Sequence, residues 1–583
     1  MWLKYTRTMM QIAFLMKKSR RAAAFLLLVL LLPAGGVHAA HPEAVRGAGG
    51  AVASAASGAT EAGLEVLRAG GNAADAAVAT ALALAVVRPR AGNLGGGGFA
   101  VTRFGDEVRT LDFRETAPAE ATRDMYLSEK GEPRPGASLV GPLAAGVPGS
   151  PAGLYELHKE LGRLPWADVV APAIKLARDG FVVDRRLANG TQKHAELLGR
   201  FPETAAVWLP GGTSPEAGST MLLPELAATL EAYAERGAPA ITEGPIAAAV
   251  ELAARRHGGV LRAADLAAYR PVWREPVRFE AFGWQVASMP LPSSGGIILG
   301  QIYGVLERLD WAKFSRFGAD RNHLLVEVMR RSYADRVLLG DPRTSQASAA
   351  QLLAGDWLDS RAERVRLARA TPSDRVRKWS RDPRPESKET THLSVMDGEG
   401  NAVSMTTTLN GTFGCGLLVR GAGFLLNNEM DDFATAPGQP NLYGLIQGEA
   451  NSVGPGKRML SSMTPTIAWR DEEVVVTGSP GGSRIPTATA QVLLNIVVDG
   501  DELQAAVDRP RIHHQWMPDL LFAEAGAFSP ETAKALERRG HELRPVASLG
   551  EVHSVRYLPG GEMQAAQDPR GPGTAGVVRP AVD

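Results

Sequence analysis

Thr390-Thr391-His392-Leu393-Ser394-Val395, followed by Asp397-Gly398-Glu399-Gly400-Asn401 and then Ala402-Val403-Ser404-Met405-Thr406-Thr407-Thr408-Leu409, reads as strand, turn and returning strand. Alternating residues on both sides of a Gly-containing turn predict an antiparallel hairpin. The segment before it, residues 371–389, has the opposite character. Arg375, Arg377, Lys378, Arg381, Arg384 and Lys388 stand among Asp, Pro and Ser, with only Val376 and Trp379 to bury. That composition predicts a solvated linker without tight packing. A polar linker joined abruptly to a buried strand directs the search for chemistry to the junction at Thr390.

Upstream, Gly58 to Leu67 has helical spacing and stops at Gly70-Gly71. Asn72 is placed to cap a second helix through Val87, Ala-rich, apolar on most faces and therefore buried, with Pro89 ending it. Gly92-Asn93-Leu94-Gly95-Gly96-Gly97-Gly98 follows. It lacks both the Gly-x-Gly-x-x-Gly spacing and a Lys-Ser or Lys-Thr, so close backbone packing beneath a site is expected rather than phosphate binding. Helices are also expected at Pro224 to Glu235 and Asn322 to Leu339.

At the amino terminus, Lys17-Lys18-Ser19-Arg20-Arg21 precedes the apolar run Ala22 to Leu32 and the small-residue end Val37-His38-Ala39-Ala40. This is the order of a secretory signal peptide, with cleavage expected after Ala39 and an uncleaved anchor as the alternative. Eleven apolar residues are too few for a membrane span of about 20, and the mature protein is expected to be periplasmic or secreted. The 583 residues carry 63 Lys and Arg against 63 Asp and Glu, so there is no basic excess to suggest nucleic acid as a partner. Apolar residues at 45% and charged residues at 22% set disorder and fibrous folds aside.

Common catalytic sites are missing by inspection. Cys415 is the single cysteine, so no disulfide within the chain and no Cys-rich zinc site can form. No Gly-x-Ser-x-Gly or His-Glu-x-x-His occurs, and His513-His514 are adjacent rather than one helical turn apart, so no metal or other cofactor is expected. A hydroxyl nucleophile activated in another way remains. A threonine exposed as a new N-terminus carries its own base, since an α-amine has a pKa of about 7.7 to 8.0. Thr390 meets that need if the bond Glu389-Thr390 is cut; on these residues alone an ordinary strand start stays open.

Several segments, taken together, carry a resemblance. They are Leu111 to Pro118, Gly146-Val147-Pro148-Gly149, Pro292-Ser293-Ser294-Gly295-Gly296 after Met289, Thr390-Thr391-His392, Asn427 to Phe433, Lys457 to Met463, and Gly478 to Arg484. In these, and from about Ala51 to Arg570, the sequence resembles the γ-glutamyltransferase family of N-terminal nucleophile hydrolases. The resemblance implies an α+β fold, a four-layer αββα sandwich with two stacked antiparallel sheets between helical layers. It implies autocleavage between Glu389 and Thr390 into a large subunit (residues 40–389) and a small one (390–583), interlocked as one unit.

By the same resemblance Thr390 is the nucleophile, Thr408 orients it, and Gly481 and Gly482 present backbone N–H groups to the oxyanion. Arg114, with Ser461 and Ser462, is implied to take the donor's α-carboxylate; Asp432, Asn410 and Glu429 take its ammonium; Tyr443, in Pro440-Asn441-Leu442-Tyr443-Gly444, is the lid residue. Glu389, a charge before the scissile bond, is expected to slow maturation without abolishing it. Cys415 is read as a small buried residue, not a nucleophile. The expected activity is γ-glutamyl transfer from glutathione and related amides to water or to amino acid or dipeptide acceptors. A glutaryl or cephalosporin acylase of the same fold, and a secreted binding protein without catalysis, are the alternatives.

Overall fold

The hairpin forms at the expected residues, Thr391–Asp397 pairing antiparallel with Ala402–Thr408. The computed structural model describes residues 43–377, 389–436, 441 and 444–579. The leader, the linker residues Lys378, Trp379, Arg381, Arg384 and Lys388, and the lid residue Tyr443 lie outside the described residues.

The hairpin occupies the middle of a seven-stranded antiparallel sheet. Its order is Thr574–Val577, Gly50–Ser54, Thr391–Asp397, Ala402–Thr408, Gly97–Phe104, Glu107–Phe113 and Val272–Arg274. A second antiparallel sheet runs Val45–Gly47, Met563–Ala566, His553–Tyr557, Glu473–Gly478, Thr466–Arg470, Trp284–Ser288 and Val277–Ala281.

Strand periodicity explains how the layers stack. Side chains alternate between faces, so Leu393, Val395, Val403 and Met405 enter a core shared with the helices Ser57–Arg68 and Ala73–Val87. Met396 and Ala402 enter a separate core with Ile467, Val476 and Val555 of the second sheet. Ser394 and Ser404 donate across the sheet interface to the carbonyls of His553 and Thr477, both at 2.9 Å. The second sheet's other face packs on the helices Gly295–Arg308, Ala319–Asp335 and Ile485–Val497. The result is the expected four layers, and it explains why every residue of both hairpin strands is buried.

Local signals held well. Asn72 caps the helix Ala73–Val87, accepting from the N–H groups of Ala74 and Asp75, while the Asp75 carboxylate accepts from Asn72 N–H. The helix expected at Asn322 to Leu339 starts earlier, at Ala319, and ends at Asp335 in a 3-10 turn, Arg336–Leu338.

The loose linker needs correction in its described part. Thr371 donates to Glu327, Ser373 is buried and its N–H donates to Asp519 at 2.8 Å, and Val376 packs on the second core. Polar composition does not preclude packing when each buried polar group finds a partner; here the partners lie on distant segments.

Several histidines are buried in uncharged form. Burial pulls His513 and His541 down to about 3, and His514 and His553 to about 4, from an ordinary value of 6.5. The unfolded chain therefore takes up these protons below pH 6.5 while the folded chain does not, so stability is complete above 6.5 and falls between 6.5 and about 3. At pH 5 each contributes a loss of about 1 to 2 kcal/mol. Thermal unfolding is expected to shift clearly downward between pH 7.5 and pH 5, and a flat melting temperature across that range would refute this account.

Candidate active site

Thr390 lies one residue before the hairpin, buried at 3% exposure. Its Oγ1 donates to the Glu389 carbonyl oxygen at 2.5 Å, so the hydroxyl rests against the peptide group on its own N-terminal side. Thr408, at the end of the returning strand, places its hydroxyl 3.5 Å from Thr390 Oγ1 and accepts from Asn410 N–H at 2.8 Å. Asn93 braces this end of the hairpin, donating to the Thr408 carbonyl at 2.9 Å and accepting from Gly96 N–H at 3.0 Å. A Cβ on Gly96 would sit 2.1 Å from the Thr408 carbonyl oxygen, so the glycine run serves close backbone packing beneath the site.

Around the hydroxyl is a cavity of ≈ 20 Å³, room for about one water molecule. Its wall includes Arg114, Thr390, Thr408, Asn410, Glu429, Asp432, Ser461, Ser462 and Gly482. These are residues from far-apart stretches of chain, and all of them were singled out from sequence. Gly481 directly precedes Gly482, with φ of 130° and 59°, conformations that favour glycine. The pair opens a 3-10 turn leading into the helix Ile485–Val497, whose N-terminal end is positive. A larger cavity of ≈ 410 Å³ lies elsewhere, against Pro202, Ala249 and Leu418; its wall has no hydroxyl, thiol or histidine, and Thr390 is not part of it.

The charges form one buried knot. Arg114 pairs with Glu429 at 2.7 Å and with Asp432 at 2.5 Å, with Glu115 3.6 Å away. Burial opposes the Arg114 charge, but the surrounding carboxylates outweigh it and raise its pKa. Burial lifts the Glu115 carboxyl to about 7 and the Glu429 carboxyl well above the usual range, with repulsion from neighbouring acids adding to both. The Arg114 fork is not open: it is closed on the acids expected to receive an ammonium. Ser462 Oγ is buried with no hydrogen-bond partner among the described residues. Ser461 Oγ accepts from Met463 N–H at 3.0 Å.

The scaffold is polar too. Asn427 Oδ1 accepts from Gly146 and Glu429 N–H groups at 2.9 and 3.0 Å, tying the loop of acids to the Gly146-Val147-Pro148-Gly149 stretch. Ser461 N–H donates to the Pro292 carbonyl, and Ser294 Oγ donates to the Ser461 carbonyl, both at 2.8 Å.

Residues 59–578 match the family model described as gamma-glutamyltranspeptidase. The chain belongs to the gamma-glutamyltranspeptidase family. It is 44% identical over 534 residues to the glutathione hydrolase proenzyme of Escherichia coli K12, covering 91% of each chain. It is 41% identical to the glutathione hydrolase proenzyme of Pseudomonas aeruginosa, covering 91% of this chain and 95% of that one. Among solved structures it resembles cephalosporin acylase from Bacillus halodurans, with a TM-score of 0.81, 26% identity, and coverage of 94% and 99%.

Two residues of this chain were not singled out from the sequence, one lining the Thr390 cavity and one paired with the residue before Thr390. Arg336 lines the Thr390 cavity, its Nε donating to Ser294 Oγ at 3.1 Å and its Nη1 without a partner among the described residues. Burial pulls its guanidinium down to about 10. Arg90 pairs with the Glu389 side chain. Neither has a local signal, since each gains meaning only from a partner distant in sequence. Cys415 is buried and its thiol is pushed up to about 12 by burial, which fits the reading of a small buried residue. His323, Glu327 and His541 group closely, but Glu327 is already paired with Arg330 and Arg331.

Proposed function

We propose that this chain, after loss of residues 1–39 on export, cuts itself between Glu389 and Thr390 into subunits of residues 40–389 and 390–583. The mature enzyme then passes γ-glutamyl groups from glutathione and related amides to water or to amino acid and dipeptide acceptors. The observation that carries this reading is one cavity holding the Thr390 hydroxyl together with Arg114, Glu429 and Asp432. A guanidinium beside two acids is complementary to an α-amino acid head group, which brings one carboxylate and one ammonium.

In self-cleavage the Thr390 oxygen adds to the Glu389 carbonyl carbon, the C–N bond breaks, and the hydroxyl proton passes to nitrogen. Water then hydrolyses the resulting ester, leaving a Glu389 carboxylate and a free Thr390 amine. In turnover that amine takes the Thr390 hydroxyl proton as the oxygen attacks the γ-carbonyl, and returns it to the leaving nitrogen. Thr408 orients the nucleophile. Backbone N–H groups at Gly481 and Gly482 hold the oxyanion, each such donor contributing about 3 kcal/mol. Arg114, Ser461 and Ser462 hold the carboxylate, and Asp432, Asn410 and Glu429 the ammonium, with Tyr443 as the lid. A cavity of ≈ 20 Å³ is too small for a donor, so room must come from departure of Glu389 and an exchange of Arg114 partners.

N-terminal sequencing of the smaller band on a denaturing gel, together with hydrolysis of a γ-glutamyl anilide, tests the whole reading. A smaller band that does not start at Thr390 would refute it. The likeness to a cephalosporin acylase keeps a glutaryl amide acylase as the second reading.

Donor binding is expected to depend on pH. Glu115 and Glu429 attract an ammonium as carboxylates, and their raised values mean that protons must leave before it is held. The donor KM should rise as pH falls from 8 to 6, by up to about tenfold per unit. Glu115→Gln should flatten this limb in KM while leaving the pH dependence of kcat set by the Thr390 amine. A wild-type KM constant from pH 8 to 6 would contradict it.

A further inference from the structure

Glu389 directly precedes Thr390 and is not among the residues that line the Thr390 cavity. Its carboxylate pairs with Arg90, and their side chains are 8% and 12% exposed. Arg90 Nη1 donates to the Arg186 carbonyl at 3.1 Å. Arg186 and Arg88 in turn pair with Glu551, Arg88 at 3.3 Å. Three guanidinium groups thus meet two carboxylates, with exposed Asp184 acting on Arg90 and Arg186 from outside. Arg88 Nε and Arg90 Nε are buried with no hydrogen-bond partner among the described residues. Two unused donors thus belong to the cluster that pairs with Glu389, the residue whose carbonyl self-cleavage turns into a new carboxylate.

We propose that Arg90, backed by Arg88 and Arg186, is the positioning residue for self-cleavage. Before the cut it holds the Glu389 side chain so that the scissile carbonyl stays against Thr390 Oγ1. After the cut, water having supplied the second oxygen of the Glu389 α-carboxylate, the arginine cluster takes that charge and keeps the new terminus out of the donor pocket. Glu389 then assists maturation, where its charge in isolation suggested a slower cut. The inference rests on Thr390 being the self-cleavage nucleophile.

The test is a time course of precursor conversion on denaturing gels for the wild type, Arg90→Met, Arg90→Lys, and Arg90→Met combined with Glu389→Gln. Arg90→Met removes the guanidinium that pairs with the buried Glu389 carboxylate, and conversion is expected to slow by at least about tenfold. Arg90→Lys should recover most of the rate, and the double variant should convert faster than Arg90→Met. The portion of Arg90→Met that does mature should keep kcat/KM within about threefold of wild type. Conversion of Arg90→Met at the wild-type rate would overturn the proposal. So would a loss shared equally by conversion, mature kcat/KM and melting temperature, with no recovery in the lysine or double variant. A wild type that is not cut before Thr390 would sink the proposed function as well, which separates the two failures.

Discussion

Thr390→Ala is expected to remain a single uncut chain with turnover of γ-glutamyl anilides reduced by on the order of 10⁶, the scale seen when a catalytic nucleophile is removed. Two losses coincide. The alanine has no oxygen to add to the Glu389 carbonyl, so the C–N bond survives. Without the cut there is also no α-amine at position 390, and hence no base near pH 8. Thr390→Ser separates oxygen from methyl: it keeps the oxygen now 2.5 Å from the Glu389 carbonyl and should still convert, more slowly because the smaller side chain is held in fewer contacts. The measurements are band pattern and anilide hydrolysis for both variants. An Ala variant that is cut, or an uncut wild type with full activity, would end the N-terminal nucleophile mechanism for this protein.

The second large effect concerns Asp432. A γ-glutamyl donor brings an ammonium to replace Arg114 at the acids, whereas a glutaryl donor has the same reach and carbonyl but none. With the glutaryl donor Arg114 must leave Asp432 and Glu429 to hold the incoming carboxylate, and the acids are stranded in a closed site. Stranding a buried charge costs about 3 to 5 kcal/mol, so the wild type should prefer γ-glutamyl over glutaryl anilides by about 10² to 10³ in kcat/KM. Asp432→Asn should depress γ-glutamyl turnover strongly and narrow that preference. Arg114→Lys should harm both donors alike, because an ammonium cannot reproduce the fork that reaches Glu429 and Asp432 together. If Asp432→Asn slows both donors by one factor, Asp432 is not the ammonium partner and the acylase reading gains.

What was legible in sequence had short range. The hairpin around Asp397 to Asn401 declared itself through strand alternation and turn residues, and the buried helix through the Asn72 cap. The glycine run was readable as packing because it lacked the spacing of a phosphate loop. The resemblance then marked the residues that line the Thr390 cavity, because motif order survives in the chain even though their proximity does not. Where reasoning from composition failed, at Thr371 to Val376, it failed because Glu327 and Asp519 satisfy that segment from elsewhere.

By itself, then, the sequence determined the hairpin and its buried faces, because alternation, capping and turn chemistry act between residues a few positions apart. Only the tertiary structure decided the electrostatics. Arg114 closed on Glu429 and Asp432 across more than 300 residues, Arg336 brought to the cavity, and Arg90 set against Glu389 are all pairings between segments that meet only once the two sheets have stacked. Charge interactions at this strength require burial, and burial at these positions is a property of four packed layers rather than of any one stretch of chain.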